Sequence, residues 1–362
     1  MTSSPFRILD GDGHILEDVP AISARLPEAV SRAAIVKASG PYPQLDNLHT
    51  GSWIAPPGSF ENPGGVTGWG DFLDSTGIAG SIVYPSAGLG FCRLTDPDLA
   101  ISLARAYNDW LYETYTSVDP RISGVALIPM QDPKAAVEEL RYAIKDLGMP
   151  CAMLPPNGLH SLLGSEEYWP IYEEADRLGC ALGIHGGAHH DLGLNRQSVF
   201  AGTHALGHPF GVMVQLVDLL LNNVFDRFPN VRFGFMEAGL AWFLLVMERL
   251  PGSYGAFVPA DPRGRYLKMD PADLRGYILS LVRDGRIAVG IEGDEPALGY
   301  VVNKYGSDGL VFSSDFPHEV NKDTIEHELD ELYENDEIDD DAKTAILSSN
   351  AERFYNLQPT AV

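Results

Sequence analysis

The chain has 362 residues, 45% of them apolar, and a formal net charge of −25 at pH 7. This apolar fraction supports a large folded core, whereas the negative charge argues against binding to nucleic acid or to anionic membranes, which attract basic surfaces. Three widely spaced cysteines, and an N-terminus without a basic and then apolar segment, indicate a cytoplasmic protein rather than a secreted one. No uninterrupted apolar run reaches the ~20 residues that a membrane span needs.

Eight short apolar runs have the continuous hydrophobicity typical of strands that are buried on both faces. In chain order they are residues 6–12, 79–85, 122–129, 151–156, 180–186, 231–237, 287–293 and 309–315. Segments with helical periodicity lie between most of them, and several begin with Asp-Pro, a typical helix start. Repeated strand–helix alternation predicts an α/β protein with a (β/α)8 TIM barrel, and we treat residues 1–362 as one domain. An open doubly wound sheet fits less well, because no GxGxxG motif follows the first run.

Two segments depart from this alternation. Residues 18–70 are rich in proline, glycine and aromatic residues, and we expect them to form a lid or insertion over the barrel mouth. Residues 319–341 are strongly acidic and predict a solvated helical segment near the C-terminus.

Ionisable side chains follow five of the eight predicted strands. They are Asp12 and His14 after the first, His185 after the fifth, Glu237 after the sixth, Glu292 after the seventh, and Asp315 with His318 after the eighth. The C-terminal ends of all barrel strands lie on one face, so these side chains should converge there. Imidazoles and carboxylates are ligands of zinc, iron and manganese, and burying such groups without a partner is costly. The joint pattern therefore predicts a metal site.

Two further histidines lie in the sequence GTHALGHPFG. His204 and His208 have the i, i+4 spacing that places side chains on one helix face, provided that the helix starts early enough. Pro209 instead favours a helix that begins near His208. We expect His208 to be a second-metal ligand or a general base, and His204 to be an additional ligand or a plain loop residue.

At this point six motifs together resemble the amidohydrolase-related (Amidohydro_2) family of metal-dependent TIM-barrel enzymes. In chain order they are DGDGHILE, GIHGG, GHPFG, RFGFMEAGLAWF, GIEGDEPAL and FSSDFPH, and the resemblance runs from residue 6 to about residue 356. It implies one or two divalent metals at the C-terminal face of the barrel. The end of the fourth strand departs from many binuclear hydrolases of the family, because it lacks the lysine whose carbamylated form bridges their metals.

The resemblance also implies roles for individual residues. Asp12 and His14 match the ligand pair of the first strand, His185 matches the fifth-strand ligand, and Asp315 matches the eighth-strand carboxylate. His208 lies where decarboxylating relatives, such as aminocarboxymuconate-semialdehyde and resorcylate decarboxylases, place a catalytic histidine. The expected metal ligands are thus Asp12, His14, His185, His208, Glu237 and Asp315, with His204, Glu292 and Glu17 as possible additions. The expected catalytic residues are His208, Asp315 and His318.

Three reactions and one inactive alternative remain open at this point. A metal-bound water could hydrolyse a carbonyl substrate, or the metal could bind a carboxylate that is lost without oxidation. A non-heme di-iron site would suit oxygen chemistry, as in an amidohydrolase-like monooxygenase of terpenoid biosynthesis. The metal would be zinc or manganese in the first two cases and iron in the third. A catalytically inactive barrel used for binding is the alternative outside enzymes.

Substrate and assembly are less well indicated. Trp53 and Trp69 in the 18–70 segment favour a small apolar or ring-bearing substrate. Arg263 and Arg265 form a basic cluster that could hold a substrate carboxylate or a CoA-type phosphate, although a solvated loop that pairs with acidic neighbours explains them somewhat better. The family tendency implies a homodimer.

Overall fold

Eight parallel strands follow one another around a single sheet in sequence order. The computed structural model describes residues 5–31, 40–45, 60–262 and 273–357. The strands are β1 Leu9–Ile15, β2 Gly80–Pro85, β3 Ile122–Leu127, β4 Cys151–Leu154, β5 Ala181–His185, β6 Arg232–Met236, β7 Ile287–Ile291 and β8 Leu310–Phe312. The predicted (β/α)8 barrel is confirmed, and each strand lies within or next to its predicted run.

The barrel closes between β1 and the residues that follow β8. The backbone N–H of Asp315 donates to the carbonyl of Asp12 at 2.9 Å, and the N–H of His14 donates to the carbonyl of Phe316 at 2.7 Å. Strand β1 continues to Ile15 rather than ending near Asp12, because its last residues still pair with β2. Asp12 and His14 therefore lie inside a strand and not in the loop after it.

Helices cover the outside of the barrel and its ends. In chain order they are α1 Val19–Ser23, α2 Glu28–Ser31, α3 Gly65–Thr76, α4 Pro97–Leu111, α5 Pro133–Lys145, α6 Trp169–Leu178, α7 Phe200–Leu221, α8 Val224–Arg227, α9 Ala241–Phe257, α10 Leu274–Arg283, α11 Leu298–Tyr305, α12 Lys322–Glu334, α13 Asp340–Thr344 and α14 Asn350–Tyr355. The two Asp-Pro pairs begin helices, as the sequence predicted. The carboxylates of Asp96 and Asp132 accept backbone N–H groups in the first turns of α4 and α5.

Helix α7 starts earlier than Pro209 indicates. It begins at Phe200, so that His204 and His208 occupy successive turns of one helix and Pro209 lies in its interior. Among the described residues, α7 is also the one helix long and apolar enough to cross a membrane. Val212, Leu216 and Leu219 of this helix are buried within the molecule, so its apolar composition is explained by packing.

The two irregular segments lie near opposite ends of the chain. Of residues 18–70, the described parts form α1, α2 and the start of α3, and residues 40, 42–45 and 60 line a cavity at the barrel mouth. The acidic segment contains α12, which buries Ile325, Leu329 and Leu332 and exposes charged residues on its other face. A lid function for residues 18–70 stays a prediction.

Candidate metal centre

The first group of convergent side chains comes from β1 and β5. The Nε2 atom of His185 lies 3.1 Å from Oδ1 of Asp12, and Nε2 of His14 lies 3.8 Å from the same oxygen. All three residues are almost completely buried. A Cβ at Gly13, which separates Asp12 from His14, would lie only 2.7 Å from the Asp10 and Ser81 side chains. A glycine is therefore needed at this point.

Backbone carbonyls orient both imidazoles. His14 Nδ1 is 3.2 Å from the carbonyl oxygen of Pro85, and His185 Nδ1 is 2.8 Å from that of Gly186. Nδ1–H donates in each case, which leaves Nε2 to face the centre of the group. This is the usual way in which a protein fixes the tautomer of a metal-binding histidine.

The loop after β8 supplies a second group. Asp315 Oδ1 lies 3.4 Å from His14 Nε2 and 2.9 Å from His318 Nδ1. The His318 ring stacks on His14 with 3.8 Å between ring centroids, and its Nε2 is 2.8 Å from the Ser86 hydroxyl. His318 is thus held on both nitrogens next to the Asp315 carboxylate.

The third group joins the end of β6 to helix α7. Oε2 of Glu237 lies 3.2 Å from His208 Nδ1 and 3.4 Å from His185 Nδ1. His204, one turn before His208 on the same helix, has its ring centroid 5.2 Å from that of His208. One ligand atom each from His204, His208 and Glu237 lie within 4.8 Å of one another.

Two of these carboxylates sit on unusual backbone. Glu237 has φ +53° and Asp315 has φ +52°, both in the left-handed region that L-residues other than glycine rarely adopt. Such strain costs about 1–3 kcal/mol and concentrates at functional sites. Here it turns both side chains into the barrel mouth just where β6 and β8 end.

Several ligand-type atoms in these groups are buried and make no hydrogen bond within the described structure. They are Asp12 Oδ2, His14 Nε2, His208 Nδ1, Glu237 Oε2 and Asp315 Oδ1. Buried polar atoms are nearly always satisfied, so these atoms, which are spread over the three neighbouring groups, require an explanation. Each group combines nitrogen and oxygen donors, the ligand types that suit a zinc, manganese or iron ion. The residues present therefore fit a divalent cation.

Burial and the neighbouring ionisable groups shift the pKa values of these residues in both directions. Burial raises the pKa of Asp12 to about 6, and burial together with neighbouring carboxylates keeps the pKa of Asp315 above its usual range. Burial lowers the pKa of His14 well below its usual range. Burial would also lower the pKa of His185, but the Asp12 carboxylate outweighs it and raises that pKa to about 9.

Three other carboxylates near the centre have different surroundings. Asp10 is fully buried and accepts from the Ser81 hydroxyl and from the backbone and hydroxyl of Ser314. Glu17 accepts three backbone N–H groups from residues 86–88, so the structure gives this expected additional ligand a capping contact instead. Glu292 lies exposed at the rim, where partial desolvation and nearby carboxylates raise its pKa to about 7. Neither Glu17 nor Glu292 belongs to the three groups of ligand atoms.

A cavity of about 450 Å³ opens above the centre. Its apolar lining includes Tyr42, Leu45, Phe60, Leu89 and Phe200, and its polar lining is Gln44, Ser86, His189, His204, His208, Glu237, His318 and Glu319. No lysine or arginine lines this cavity in the described parts of the chain.

The candidate substrate residues fall elsewhere. Trp69 is fully buried, packs edge-on against Phe72 and Phe316, and does not line the cavity. It faces the core because α3 turns that side of the helix toward the barrel. Trp53, Arg263 and Arg265 lie outside the described residues.

The strand-end survey of the sequence missed Ser86 and Glu319. Ser86 follows β2, and the end of β2 carries no ionisable residue. The neighbouring sequence therefore gives no signal that Ser86 belongs to the site. Glu319 directly follows His318, and that adjacency was the available signal.

Comparisons with known proteins point in one direction. The sequence model of the Amidohydro_2 family, described as amidohydrolase, matches residues 89–357. The chain is 26% identical over 263 residues to 2-amino-3-carboxymuconate-6-semialdehyde decarboxylase of Dictyostelium discoideum, covering 73% of this chain and 69% of the relative. It is 25% identical over 278 residues to gamma-resorcylate decarboxylase of Polaromonas sp., covering 73% and 79% of the two chains.

A solved structure extends the likeness to the whole fold. The 5-carboxyvanillate decarboxylase of Novosphingobium aromaticivorans, complexed with manganese and 4-hydroxy-3-methoxy-5-nitrobenzoic acid, superposes with a TM-score of 0.72. The two chains are 18% identical, and the match covers 98% of this chain and 97% of the other. At that identity the likeness establishes the barrel fold.

Proposed function

Because this chain belongs to the amidohydrolase family, as its motifs predicted, we propose that it is a metal-dependent decarboxylase of small ring-bearing or conjugated carboxylic acids. The reaction would be non-oxidative. The observation that carries the proposal is the set of buried ligand-type atoms that make no hydrogen bond in the described structure. Two of their residues, His208 and Glu237, line a largely apolar cavity. Two curated relatives with decarboxylase activity support the choice of reaction.

The first step is to bind a carboxylate in an acidic protein. No lysine or arginine lines the cavity within the described residues, and the proposal assigns the substrate carboxylate to a bound cation. Asp12, His14, His185 and Asp315 would hold a divalent cation at this point. When bound, such a cation supplies Lewis-acid polarisation of a carboxylate and of a neighbouring oxygen. The manganese complex of a structural neighbour agrees with this choice of cofactor.

The cavity walls orient the rest of the substrate. Phe60, Leu89 and Phe200 supply apolar surface to the cavity, and Phe60 stacks on the His318 ring with 4.8 Å between centroids. A volume of about 450 Å³ suits a single-ring acid rather than a polymer or a large lipid. The apolar walls also exclude water from the carbon that loses its carboxyl group.

The proposal assigns the supply of the proton to the Asp315–His318 pair. In the reaction the bond between the ring carbon and the carboxyl carbon breaks, and its electron pair stays on the ring carbon. A proton held between Asp315 Oδ1 and His318 Nδ1, 2.9 Å apart, forms the new C–H bond as CO2 leaves. Protonation from solvent then restores the pair.

Hydrolysis would use the same side chains and the same cation. The two reactions differ in the substrate, which is an ester or lactone for hydrolysis and a carboxylic acid for decarboxylation. The relatives reported above lend no support to the di-iron monooxygenase alternative. An inactive barrel would be expected to lack part of the ligand set, whereas Asp12, His14 and His185 form one group of ligand-type residues and His14, Asp315 and His318 form a second that shares His14.

The test begins with protein purified without added metal. We expect about one equivalent or more of zinc or manganese by elemental analysis. We also expect CO2 release from benzoates that carry a hydroxyl group next to the carboxylate. Chelation should abolish turnover, and re-addition of the metal should restore it. Loss of an ester or lactone substrate with no CO2 release from any acid would favour hydrolysis. Two irons with substrate-dependent oxygen uptake would overturn the proposal in favour of oxygenation.

A further inference from the structure

His318 is held by a chain of hydrogen bonds that begins outside the three groups of ligand-type atoms. The Ser86 hydroxyl contacts His318 Nε2, and the Glu17 carboxylate holds the loop that carries Ser86. We propose that Ser86 and Glu17 are positioning residues for proton transfer, which orient the His318 ring so that Nδ1 faces Asp315. The inference rests on the proposed function for the role of His318 and deepens it by naming the residues that orient the proton donor.

The His318 ring is enclosed by its neighbours. It stacks on His14 with 3.8 Å between ring centroids and on Phe60 with 4.8 Å. The backbone N–H of Phe60 also donates to the carbonyl oxygen of His318 at 2.7 Å, and the His318 side chain is only 5% exposed. Stacking still allows two orientations of the ring, which are related by a half-turn. The partners of the two nitrogens therefore decide which orientation is adopted.

Ser86 and Asp315 together select one of these orientations. His318 Nε2 lies 2.8 Å from Ser86 Oγ, and Nδ1 lies 2.9 Å from Asp315 Oδ1. A half-turn of the ring would put carbon atoms in place of both nitrogens, so both contacts would be lost. An ionised carboxylate only accepts, so Nδ1–H donates to Asp315 and a neutral ring accepts from the serine hydroxyl at Nε2. Because a hydroxyl can also accept, Ser86 keeps this contact when Nε2 carries a proton.

The Glu17 carboxylate fixes the backbone from which Ser86 projects. Its Oε2 atom accepts the backbone N–H of Ser86 at 3.2 Å and that of Ala87 at 2.9 Å, and its Oε1 atom accepts that of Gly88 at 2.8 Å. The N–H of Ser86 also lies 3.2 Å from the carbonyl oxygen of Ile15, the last residue of β1. The loop after β2 is thus tied to the strand that carries His14.

The division of work between these two residues is unusual for a helix start. Ser86 is the N-cap of the short 3-10 helix Ala87–Arg93, and a serine at this position normally turns its hydroxyl toward the N–H groups of the first turn. Here the hydroxyl makes no such bond, because Glu17 accepts those N–H groups from outside the helix. The serine hydroxyl is therefore available to His318. Glu17 acts on the proton donor through Ser86.

The first experiment compares kinetic constants on a hydroxybenzoate that the wild-type chain decarboxylates. We expect Ser86→Ala to lower kcat by a factor of about 10–100, since the ring then adopts the productive orientation for only part of the time. The KM should change by less than about threefold, because the substrate contacts remain. Ser86→Thr keeps the hydroxyl and should restore most of kcat. Ser102→Ala is the control, because the Ser102 hydroxyl bonds only the carbonyl of Asp98 in helix α4.

The second experiment asks whether Glu17 acts through Ser86. We expect Glu17→Gln to lower kcat to a similar extent, because its amide group turns a donor toward the N–H groups of the loop. The double variant Glu17→Gln with Ser86→Ala should be no slower than Ser86→Ala alone. Asp96→Asn is the matched control, because the Asp96 carboxylate also accepts two backbone N–H groups at a helix start but does not contact His318.

The third experiment observes the His318 ring without turnover. The full chain is labelled with ¹⁵N-histidine and loaded with zinc, which does not broaden the signals, and the ring nitrogens are recorded by nuclear magnetic resonance. His318→Gln identifies the His318 signals. We expect a single set with a protonated Nδ1 in the wild-type chain and in Ser86→Thr. Ser86→Ala and Glu17→Gln should each show mixed or exchange-broadened signals.

Wild-type kcat in Ser86→Ala would overturn the inference, as would unchanged His318 signals in both single variants. Losses of kcat that multiply in the double variant would also overturn it, since Glu17 would then not act through Ser86. Failure of the proposed function has a different signature. If the wild-type chain decarboxylated no acid, that function would be refuted, and the nitrogen signals would still decide the positioning role. Mixed signals in both variants would support it, and unchanged signals would reject it.

Discussion

Asp315 combines three properties that single out one residue of the centre. Its Oδ1 atom is buried, lies 3.4 Å from His14 Nε2 and 2.9 Å from His318 Nδ1, and projects from backbone with φ +52°. The left-handed conformation restricts which substitutions can be interpreted. Asparagine tolerates this region better than other non-glycine residues except aspartate, so Asp315→Asn changes the charge with little added strain.

We expect Asp315→Asn to lower kcat by a factor of about 10²–10⁴, because it removes a proposed ligand oxygen and the proposed acceptor of the His318 proton. The measurement is steady-state turnover together with metal content. Asp308→Asn is the control, since Asp308 is an exposed carboxylate that pairs with Arg353 at 3.4 Å. Full metal content and full turnover in Asp315→Asn would show that the site is misplaced.

The buried Asp12–His185 pair makes metal uptake depend on pH. Burial raises the Asp12 pKa to about 6, and the Asp12 carboxylate raises the His185 pKa to about 9 against the effect of burial. Between these values the metal-free protein carries ionised Asp12 and protonated His185. Metal binding must then displace one proton, so the apparent Kd should fall about tenfold per pH unit as pH rises. Below the Asp12 pKa a second proton must leave, and the dependence becomes steeper.

Calorimetric titration with Mn²⁺ in two buffers of different ionisation enthalpy measures the protons released. At a pH between the two pKa values we expect about one proton per bound ion. The same titration of His185→Gln, which cannot hold that proton, serves as the comparison. An affinity that stays flat across this range would contradict the expected state of the pair.

The sequence predicts the location and role of some single residues better than those of others. Asp12, His185 and Asp315 were recognisable because each is ionisable and ends or follows an apolar strand, where an unpaired charge is costly. Glu17 is likewise an ionisable residue that follows an apolar strand. Its partners, however, are backbone N–H groups of residues 86–88, which no local sequence pattern reveals. Trp69 was equally ambiguous, because an aromatic residue in an irregular segment suits either a substrate wall or a core.

Strands β1, β2 and β8 are joined at one point by Asp10. Its carboxylate accepts from Ser81 on β2 and from two donors of Ser314 just after β8, and it is completely buried. Asparagine would turn an N–H₂ group toward these donors. We expect Asp10→Asn to lower the free energy of unfolding by on the order of 3 kcal/mol.

Chemical denaturation measures this loss, with Asp146→Asn, at an exposed helix end, as the control. The distance of the metal ligands from one another depends on the same junction, so metal affinity should weaken in parallel. Unchanged stability of Asp10→Asn would mean that the three strands do not depend on this carboxylate.

Helix α7 shows why element boundaries are harder to predict than elements. Pro209 marks a helix start in most sequences, because proline lacks the N–H that an interior position uses. Here the helix already starts at Phe200 and continues through the proline. Tertiary packing is close on both sides of the proline, where Gly207 and Gly211 allow the helix to approach His189 and Pro156. Such contacts cannot be read from the local sequence.

At the scale of the whole molecule, strand–helix alternation was sufficient to predict the barrel. Eight buried runs have few other ways to satisfy both faces and all backbone groups. The location of the site followed from the fold, because all strand ends meet on one face. The substrate did not follow, since the cavity walls come from segments without periodicity. The cytoplasmic location and the homodimer stay predictions, and light scattering of the purified protein tests the second.

Metal removal should weaken the entire barrel and not only its activity. The proposed ligands come from β1, β5 and the loop after β8, so a bound cation links elements separated by most of the chain. A cation present at about a thousand times its Kd stabilises the folded state by about 4 kcal/mol. For a chain of this length that corresponds to a rise in Tm on the order of 5 °C. Thermal unfolding with a chelator and with added Mn²⁺ measures the difference, and Asp12→Asn with His185→Gln should show almost none of it. Equal Tm values for the wild-type chain in both conditions would show that these strands are not joined through a metal ion.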